Sequence, residues 1–171
     1  MIRTFEIYTD GACKSNKNGG WGYHCLLYRK EHPAINFEDF GGAINTTNQR
    51  MELSAMLECM KFLNTFKSVS NITIYSDSKY TINGLVSEDE KYRSTDGSPS
   101  GWLKLWKRNN YKTASNKPVL NLELWLELEK QYTTLFKKSK GILAIEWVEG
   151  HSKNEGNDRA DTLANKGCGN I

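Results

Sequence analysis

The stretch IYSDSKY (residues 74–80) describes a short strand that stops abruptly on an acidic residue. Nearly the same pattern, IYTDG, ends the first apolar run of the chain at residues 7–11. A single terminal Asp is ordinary turn or helix-cap chemistry, because its side chain bonds nearby backbone amides. Two such strands in similar local settings predict that Asp10 and Asp77 present their carboxylates to the same place.

The order of the sequence patterns predicts an α/β fold, a five-stranded mixed sheet flanked by helices. Residues 2–9 and 21–29 resemble strands, and a third run from residue 35 follows a short connection, so the first three strands are expected to be antiparallel. From residue 46 the apolar period becomes helical; Thr46 and Gln49 have capping-box spacing, and the helix is expected to start at about residue 48. Two later strands, at 70–77 and 141–149, are expected to join the sheet through helical crossovers.

The segment LNLELWLELEKQYTTLF (residues 120–136) suits either a strand or a helix. Leucines at every second position from 120 to 128 alternate as in a strand, whereas Leu124, Leu128, Tyr132 and Leu135 form a helical stripe. Its length and its Leu, Glu and Lys content favour the helix. We also predict short helices at 78–85 and 102–110, a final helix at 157–167 with a glycine stop, and a disordered surface loop at the polar insertion 86–101.

The composition predicts one globular domain spanning residues 1–171. Its four cysteines are widely spaced without a Cys-x-x-Cys pair, which favours reduced thiols in a cytoplasmic protein over a disulfide framework or a zinc site. No apolar stretch is long enough to cross a membrane, and the first strand begins almost at Met1, leaving no room for a signal peptide. Nothing in the sequence indicates an obligate protein partner, so we expect a monomer.

Glu52 is the most informative single residue. In a helix starting near residue 48, positions 52, 56, 59, 63 and 66 share one stripe, and all of them except Glu52 are apolar. The pattern therefore places a carboxylate on the face turned toward the sheet, where an unpaired charge is costly. The alternative is that Glu52 lies at the rim and interacts with the helix dipole.

Asp10, Glu52, Asp77 and Asp161 together suggest a metal site. Asp161 stands beside apolar residues of the final helix, although a solvated first turn is an alternative for it. Carboxylates that converge repel one another and need a positive charge between them. Because no His/Cys cluster accompanies them, oxygen ligands point to Mg²⁺ or Mn²⁺, which suit phosphoryl chemistry.

Two further features suggest a role for the surroundings of this site. His151 lies in a polar loop between Gly150 and Gly156, where it is either merely exposed or a proton relay near the carboxylates.

The tract from 102 to 122 contains five cations and no acid. Lys and Arg neutralise phosphates while aromatic faces pack on bases, so the tract favours nucleic acid over an ordinary basic helix with Trp in the core. Its aromatic and basic residues are Trp102, Lys104, Trp106, Lys107, Arg108, Tyr111, Lys112 and Lys117.

The chain resembles type 1 ribonucleases H, which cut the RNA strand of RNA/DNA hybrids. The resemblance rests on five blocks in order: YTDGACKSN (8–16), TTNQRMEL (46–53), IYSDSKY (74–80), GWLKLWKRNNYKT (101–113) and EWVEGHSKNEGNDRADTLA (146–164). It implies a ribonuclease H-like fold in which the two Ile-Tyr-x-Asp strands lie side by side. It also selects Asp161 over Asp158 as the fourth ligand, beside Asp10, Glu52 and Asp77.

The resemblance further implies two-metal hydrolysis, with ions about 4 Å apart that activate the attacking water and stabilise the leaving 3′ oxygen. The products would carry a 5′ phosphate and a 3′ hydroxyl, and His151 would assist proton transfer or product release. Recognition would be largely independent of sequence, through the 2′-hydroxyls of the RNA strand. Cys13, Asn16, Asn48, Gln49 and Lys79 would line the RNA strand, Thr47 would hold a DNA phosphate, and a basic protrusion at about 101–118 (Trp102, Trp106, Lys107, Arg108 and Lys112 among its residues) would grip the DNA strand.

Three departures from the family pattern, and two alternatives, accompany this prediction. Lys79 stands where the family often has Gln, and Gln49 where it often has Asn. The insertion at 86–101 is longer than usual and adds acids at 88–90, and no separate hybrid-binding domain is expected before the catalytic one. One alternative is a related two-metal nuclease acting on DNA, which the TTNQRMEL block, His151 and the protrusion disfavour. The other is a hybrid-binding module without catalysis, which the intact carboxylates disfavour.

Overall fold

The computed structural model describes residues 2–89, 91 and 93–169. Its five strands form one mixed sheet in the order β3-β2-β1-β4-β5. Strands β1, β2 and β3 are antiparallel neighbours, and β4 and β5 add in parallel on the other side of β1. The α/β prediction and the five-stranded mixed sheet are therefore confirmed. The strands are β1 (Arg3–Cys13), β2 (Gly19–Arg29), β3 (His32–Ala43), β4 (Asn71–Ser76) and β5 (Leu143–Trp147).

The two Ile-Tyr-x-Asp strands are direct neighbours. In the parallel pair of β1 and β4, Tyr8 is opposite Tyr75 and Thr9 is opposite Ser76. The two tyrosine rings stack with their centroids 4.8 Å apart. Because both strands run in the same direction and stay in register, Asp10 and Asp77 emerge from the same edge of the sheet.

Among the helices of the described residues, α1 and α5 cover the two faces of the sheet, α2 contacts β4 and β5, and α3 and α4 pack on other helices. The buried side of helix α1 packs on one face of the sheet. On β1 this face is formed by odd-numbered residues, of which Phe5 and Ile7 are fully buried. Helix α5 packs closely on the opposite face, because a Cβ at Gly20 would lie 2.0 Å from the carbonyl oxygen of Ala164. The helix predicted for the ambiguous leucine-rich segment is confirmed as α4, which packs on α1. The helices are α1 (Asn48–Asn64), α2 (Lys79–Leu85), α3 (Trp102–Arg108), α4 (Leu122–Lys138) and α5 (Glu155–Gly169).

Helix starts and stops differ slightly from the sequence prediction. The N-cap of α1 is Thr47, whose Oγ1 accepts a hydrogen bond from the Arg50 amide at 3.2 Å, whereas the Thr46 side chain is buried. The predicted capping box at Thr46 is therefore wrong. Similarly, Ser78 caps α2 instead of Asp77, which leaves the Asp77 carboxylate available for other contacts. Helix α5 continues through Gly167, where the sequence predicted its end. This glycine allows the helix to pack closely on the Gly41 carbonyl.

Some described residues of the polar insertion contact the rest of the protein, and the disorder of this loop stays a prediction. The amides of Ser100 and Gly101 both donate to the carbonyl of Leu85, at 3.0 and 3.3 Å. Gly97 is buried against the ring of Phe136 with φ +86°, a backbone conformation that favours glycine. The insertion therefore contacts the rest of the protein at Gly97 and at its last two residues. Glu90, part of the predicted acidic run, lies outside the described residues.

Among the described helices, none combines the length and apolar composition needed to cross a bilayer.

Candidate active site

Three of the four predicted ligand carboxylates meet at one edge of the sheet. One oxygen each of Asp10, Glu52 and Asp77 lies within 4.8 Å of the others. Asp10 and Glu52 are 6% and 7% exposed, so the alternative position of Glu52 at a solvated rim is wrong. Asp77 is partly exposed, which leaves the cluster open on one side. We call these three residues the carboxylate cluster.

Gly11 brings the backbone of α1 against the end of β1. A Cβ at this position would lie 2.3 Å from the backbone nitrogen of Glu52, so no larger residue fits without separating the helix from the strand. The Gly11 amide donates to Asp10 Oδ1 at 2.9 Å, and it partly offsets the burial that raises the pKa of Glu52. The sequence alone suggested only that Asp10 is a turn residue before Gly11. The close contact of helix and strand is a tertiary property, and the only local sign of it was the Asp-Gly pair.

The electrostatics of the cluster favour a bound cation. Burial raises the pKa of Asp10 to about 8, and the negative charges of Asp77 and Asp161 act in the same direction. The pKa of Glu52 is raised well above its usual value by burial and then by the charges of Asp10 and Asp77. Within the described part of the chain, Glu52 Oε2 has no hydrogen-bond partner. A divalent cation would satisfy this oxygen and neutralise the repulsion, so the residues present fit a hard metal ion.

Asp161 lies beside the carboxylate cluster and not within it. It is half-buried on α5, close enough to Asp10 to raise the pKa of that carboxyl through its charge and a side-chain hydrogen bond. Its own Oδ1 accepts a hydrogen bond from Asn165 Nδ2 at 3.2 Å. Asp158, the other acid of NDRAD, is exposed. Asp161 therefore has the electrostatic contact expected of a fourth ligand.

The loop that carries His151 passes close to Asp77. His151 is exposed, with φ +57°, and its charge lowers the pKa of Asp77, while burial, the largest effect, raises it. A Cβ at Gly150 would lie 2.6 Å from Asp77 Oδ2. Gly150 therefore allows the loop to approach the carboxylate. In the sequence, Gly150 is recognisable only as a glycine that precedes His151.

The residues predicted to line the RNA strand surround the same edge of the sheet. Cys13 and the TTNQ segment are adjacent, because Cys13 Sγ lies 3.5 Å from the carbonyl oxygen of Thr46. The Lys79 ammonium lies 5.0 Å from the centre of the Trp147 ring, and Trp147 Nε1 donates to the carbonyl of Asp77 at 3.2 Å. Trp147 is a neighbour of the site that sequence reasoning did not identify. Asn16, Thr47, Asn48, Gln49 and Lys79 are all exposed, and Cys13 is partly buried.

The predicted protrusion is helix α3 with the turn that follows it. Trp106 packs on the fully buried Trp125 with ring centres 5.4 Å apart, and Trp102 is 5.9 Å from Trp106 and 36% exposed. The alternative of Trp in the core thus describes Trp106 in part. Arg108 and Lys112 are exposed, whereas Lys107 pairs with Glu129 at 2.9 Å. The Lys107 side chain is 63% exposed, so this surface ion pair contributes little stability.

Comparison with known proteins agrees with this arrangement. A model of the RNase H family matches residues 3–169. A ribonuclease H of Cupriavidus necator is 39% identical over 171 residues, covering 99% of each chain. A ribonuclease HI of Neisseria meningitidis serogroup B is 39% identical over 169 residues, covering 98% of this chain and 97% of its own.

Among solved structures, LC9-RNase H1, a type 1 RNase H with the type 2 active-site motif, superimposes with a TM-score of 0.74. It is 21% identical, and the match covers 99% of this chain and 74% of that one. This likeness supports the fold, while the family match and the curated relatives span almost the whole sequence. The protein belongs to the RNase H family.

Proposed function

We propose that the protein is an endonuclease that hydrolyses the RNA strand of RNA/DNA hybrids, leaving a 5′ phosphate and a 3′ hydroxyl. The observation that carries this proposal is the buried carboxylate cluster at the ends of two adjacent strands, in a chain that belongs to the RNase H family. Such a cluster is costly for folding unless a cation occupies it. Metal-dependent chemistry therefore best explains why the protein contains a carboxylate cluster that is costly for folding.

Asp10, Glu52, Asp77 and Asp161 are proposed to hold two Mg²⁺ ions, for which Mn²⁺ could substitute. When bound, the metal ions would supply water activation and charge stabilisation at the scissile phosphate. The protein positions these carboxylates: the backbone amide of Gly11 lies near both Asp10 and Glu52, and Asp161 on α5 lies beside Asp10. Asp77, on the open side of the cluster, would face the substrate.

His151 is proposed to assist proton transfer at the open side. It is exposed and electrostatically coupled to Asp77, so it can exchange protons with solvent while acting near the reacting phosphate. The lack of a side chain at Gly150 allows this loop to lie close to Asp77. Its exposure and its effect on Asp77 support this role for His151.

Two surfaces on either side of the cluster are proposed to bind the two strands. Cys13, Asn16, Asn48, Gln49 and Lys79 would contact the RNA strand, mainly through its 2′-hydroxyls and largely without sequence preference. Thr47 would bind a DNA-strand phosphate. The protrusion would contact the DNA strand through its exposed cations and Trp102. Its residues in this role are Trp102, Trp106, Lys107, Arg108 and Lys112.

The setting proposed for this activity is a single-domain monomer in the cytoplasm. All four cysteines are free, three of them buried, which suits a reducing compartment. The carboxylate cluster comes from one chain, which is compatible with the proposed monomer.

The proposal is tested by cleavage of an RNA strand labelled at its 5′ end, presented alone, paired with RNA and paired with DNA. Wild type should cut only the hybrid and only with Mg²⁺ or Mn²⁺, and Asp10→Asn should abolish the cutting. Asp158→Asn, an exposed acid, is the matched control and should cut like wild type. Tight hybrid binding without cutting would identify a binding module, and cutting of duplex DNA would identify a DNA nuclease.

A further inference from the structure

Three hydrogen bonds link helices α1, α2 and α4 behind the proposed substrate surface. Tyr80 Oη accepts one from Asn121 Nδ2 and one from Trp125 Nε1, both at 3.2 Å. Asn121 Oδ1 accepts the third from Arg50 Nη1 at 3.1 Å. Arg50 also forms an ion pair with Glu123 in the first turn of α4. We call Arg50, Asn121 and Tyr80 the spacing network.

An aromatic group continues this network to the protrusion. Tyr80 packs edge-on against Trp125 at 5.3 Å, and Trp125 contacts Trp106 of α3. The fit leaves no free space on the α2 side, since a Cβ at Gly84 would lie 2.1 Å from an atom of the Trp125 ring. Displacing Tyr80 would therefore shift α3 as well, because closely packed aromatic rings transmit such a change.

The ends of the network adjoin the surfaces that the proposed function assigns to the two strands. Arg50 follows Gln49 in the first turn of α1 and precedes Glu52 by two residues. Tyr80 follows Lys79 and lies three residues beyond Asp77. The aromatic end reaches Trp106 and, through Tyr80 at 6.0 Å, Trp102. One set of contacts thus joins the cutting site, the RNA-strand side and the DNA-strand side.

We propose that the spacing network fixes the distance between the carboxylate cluster and the protrusion, and thereby matches the enzyme to the width of an RNA/DNA hybrid. This inference rests on the proposed function. Duplexes of different helical form present their two backbones at different separations across a groove. A rigid distance between the two binding surfaces would select among them by shape. Arg50, Asn121 and Tyr80 act here as positioning residues, since they reach the substrate surfaces only through their neighbours.

The choice of residues argues for positioning over simple space filling. An aromatic core can be completed by Phe, which leaves no polar atoms to satisfy, whereas a partly buried hydroxyl with two donors defines one arrangement of its neighbours. Asn121 also adopts a left-handed backbone with φ +59°, which few residues other than Gly and Asn accept readily. Its amide is thereby directed between Arg50 and Tyr80.

The test replaces Tyr80 with Phe, which removes one oxygen and keeps the ring. We expect KM for the hybrid to rise about 10-fold with kcat within about 2-fold, since misplaced binding surfaces weaken productive binding. We also expect the cut sites on a short end-labelled hybrid to spread to neighbouring phosphates. The matched control is Tyr132→Phe, which removes the hydroxyl of a buried α4 tyrosine outside the spacing network and should leave KM and the cut sites unchanged.

A second variant guards against a folding defect. Asn121→Gly removes the amide but keeps the left-handed backbone accessible, and it should reproduce the KM increase and the broader cut pattern at temperatures well below unfolding. If Tyr80→Phe and Asn121→Gly lower the unfolding temperature but keep the wild-type KM and cut sites, the network is structural and the inference is wrong. If wild type itself cuts no hybrid, the proposed function fails instead.

Discussion

Replacing Asp10 with Asn is expected to stabilise the metal-free protein while abolishing its activity. The substitution keeps the shape of the side chain and an oxygen that can accept the 2.9 Å hydrogen bond from the Gly11 amide. It removes an ionisable carboxyl that is crowded by two others, in a side chain that is only 6% exposed. Stability and activity should therefore change in opposite directions, which a general folding defect could not produce.

The size of the effect follows from the pKa of Asp10, which is raised from 3.8 to about 8, first by burial and then by Asp77 and Asp161. Each pH unit between the unfolded and folded pKa costs the folded state about 1.4 kcal/mol, which gives at most about 4 kcal/mol at pH 7. Structural relaxation and mobile counterions reduce this, so about 2 kcal/mol is expected, corresponding to a rise in Tm of about 4–8 °C. Because the folded pKa is raised, the cost is absent below pH 4 and grows until pH 8.

The measurement is urea and thermal unfolding in EDTA at several pH values between 4 and 8, for wild type, Asp10→Asn and the control Asp158→Asn. The control should stay within about 0.5 kcal/mol of wild type, because Asp158 is exposed. Added Mg²⁺ should then stabilise wild type more than Asp10→Asn, since a ligand stabilises only the state that binds it. If Asp10→Asn is no more stable than wild type in EDTA at pH 8, then burial and crowding of the Asp10 carboxyl do not destabilise the folded protein, and the argument is refuted.

Three further predictions follow from single contacts in the site. Lys79→Gln should reduce the slope of log binding constant against log salt by about 0.9 if the Lys79 ammonium beside Trp147 meets a phosphate, and an unchanged slope would place it elsewhere. Gly150→Ala should lower kcat about 10-fold with an unchanged unfolding temperature, because its Cβ would displace the Asp77 carboxylate; wild-type kcat would show that the loop yields instead. Asp161→Asn should lower activity at least about 10-fold while Asp158→Asn stays within about 2-fold, and equal effects would contradict the selection of Asp161.

The sequence predicted most of the fold because the determining signals are local. Alternation of polarity marks strands and a 3.6-residue period marks helices, so both types of element could be placed to within a few residues. Glu52 stood out for the same reason, as the one charge on an apolar stripe, and it is indeed buried. Thr46 was mistaken for the cap of α1 because it and Thr47 are adjacent and chemically alike. The choice between them depends on which hydroxyl meets the Arg50 amide, a contact that spacing does not determine.

What the sequence could not predict are contacts between elements that are distant along the chain. The absence of side chains at Gly11 and Gly150 is as necessary to the carboxylate cluster as the acids themselves, yet each glycine looks like an ordinary turn residue until the partner backbone or carboxylate is known. The same is true of Tyr80 and Asn121, which are 41 positions apart. Charged residues of a site can be recognised in a sequence from their residue type. Residues that only position those charges can be recognised once the three-dimensional structure is known. Mutations of the second class should therefore change KM, cut position or metal affinity, or reduce kcat, without removing a group that takes part in the reaction.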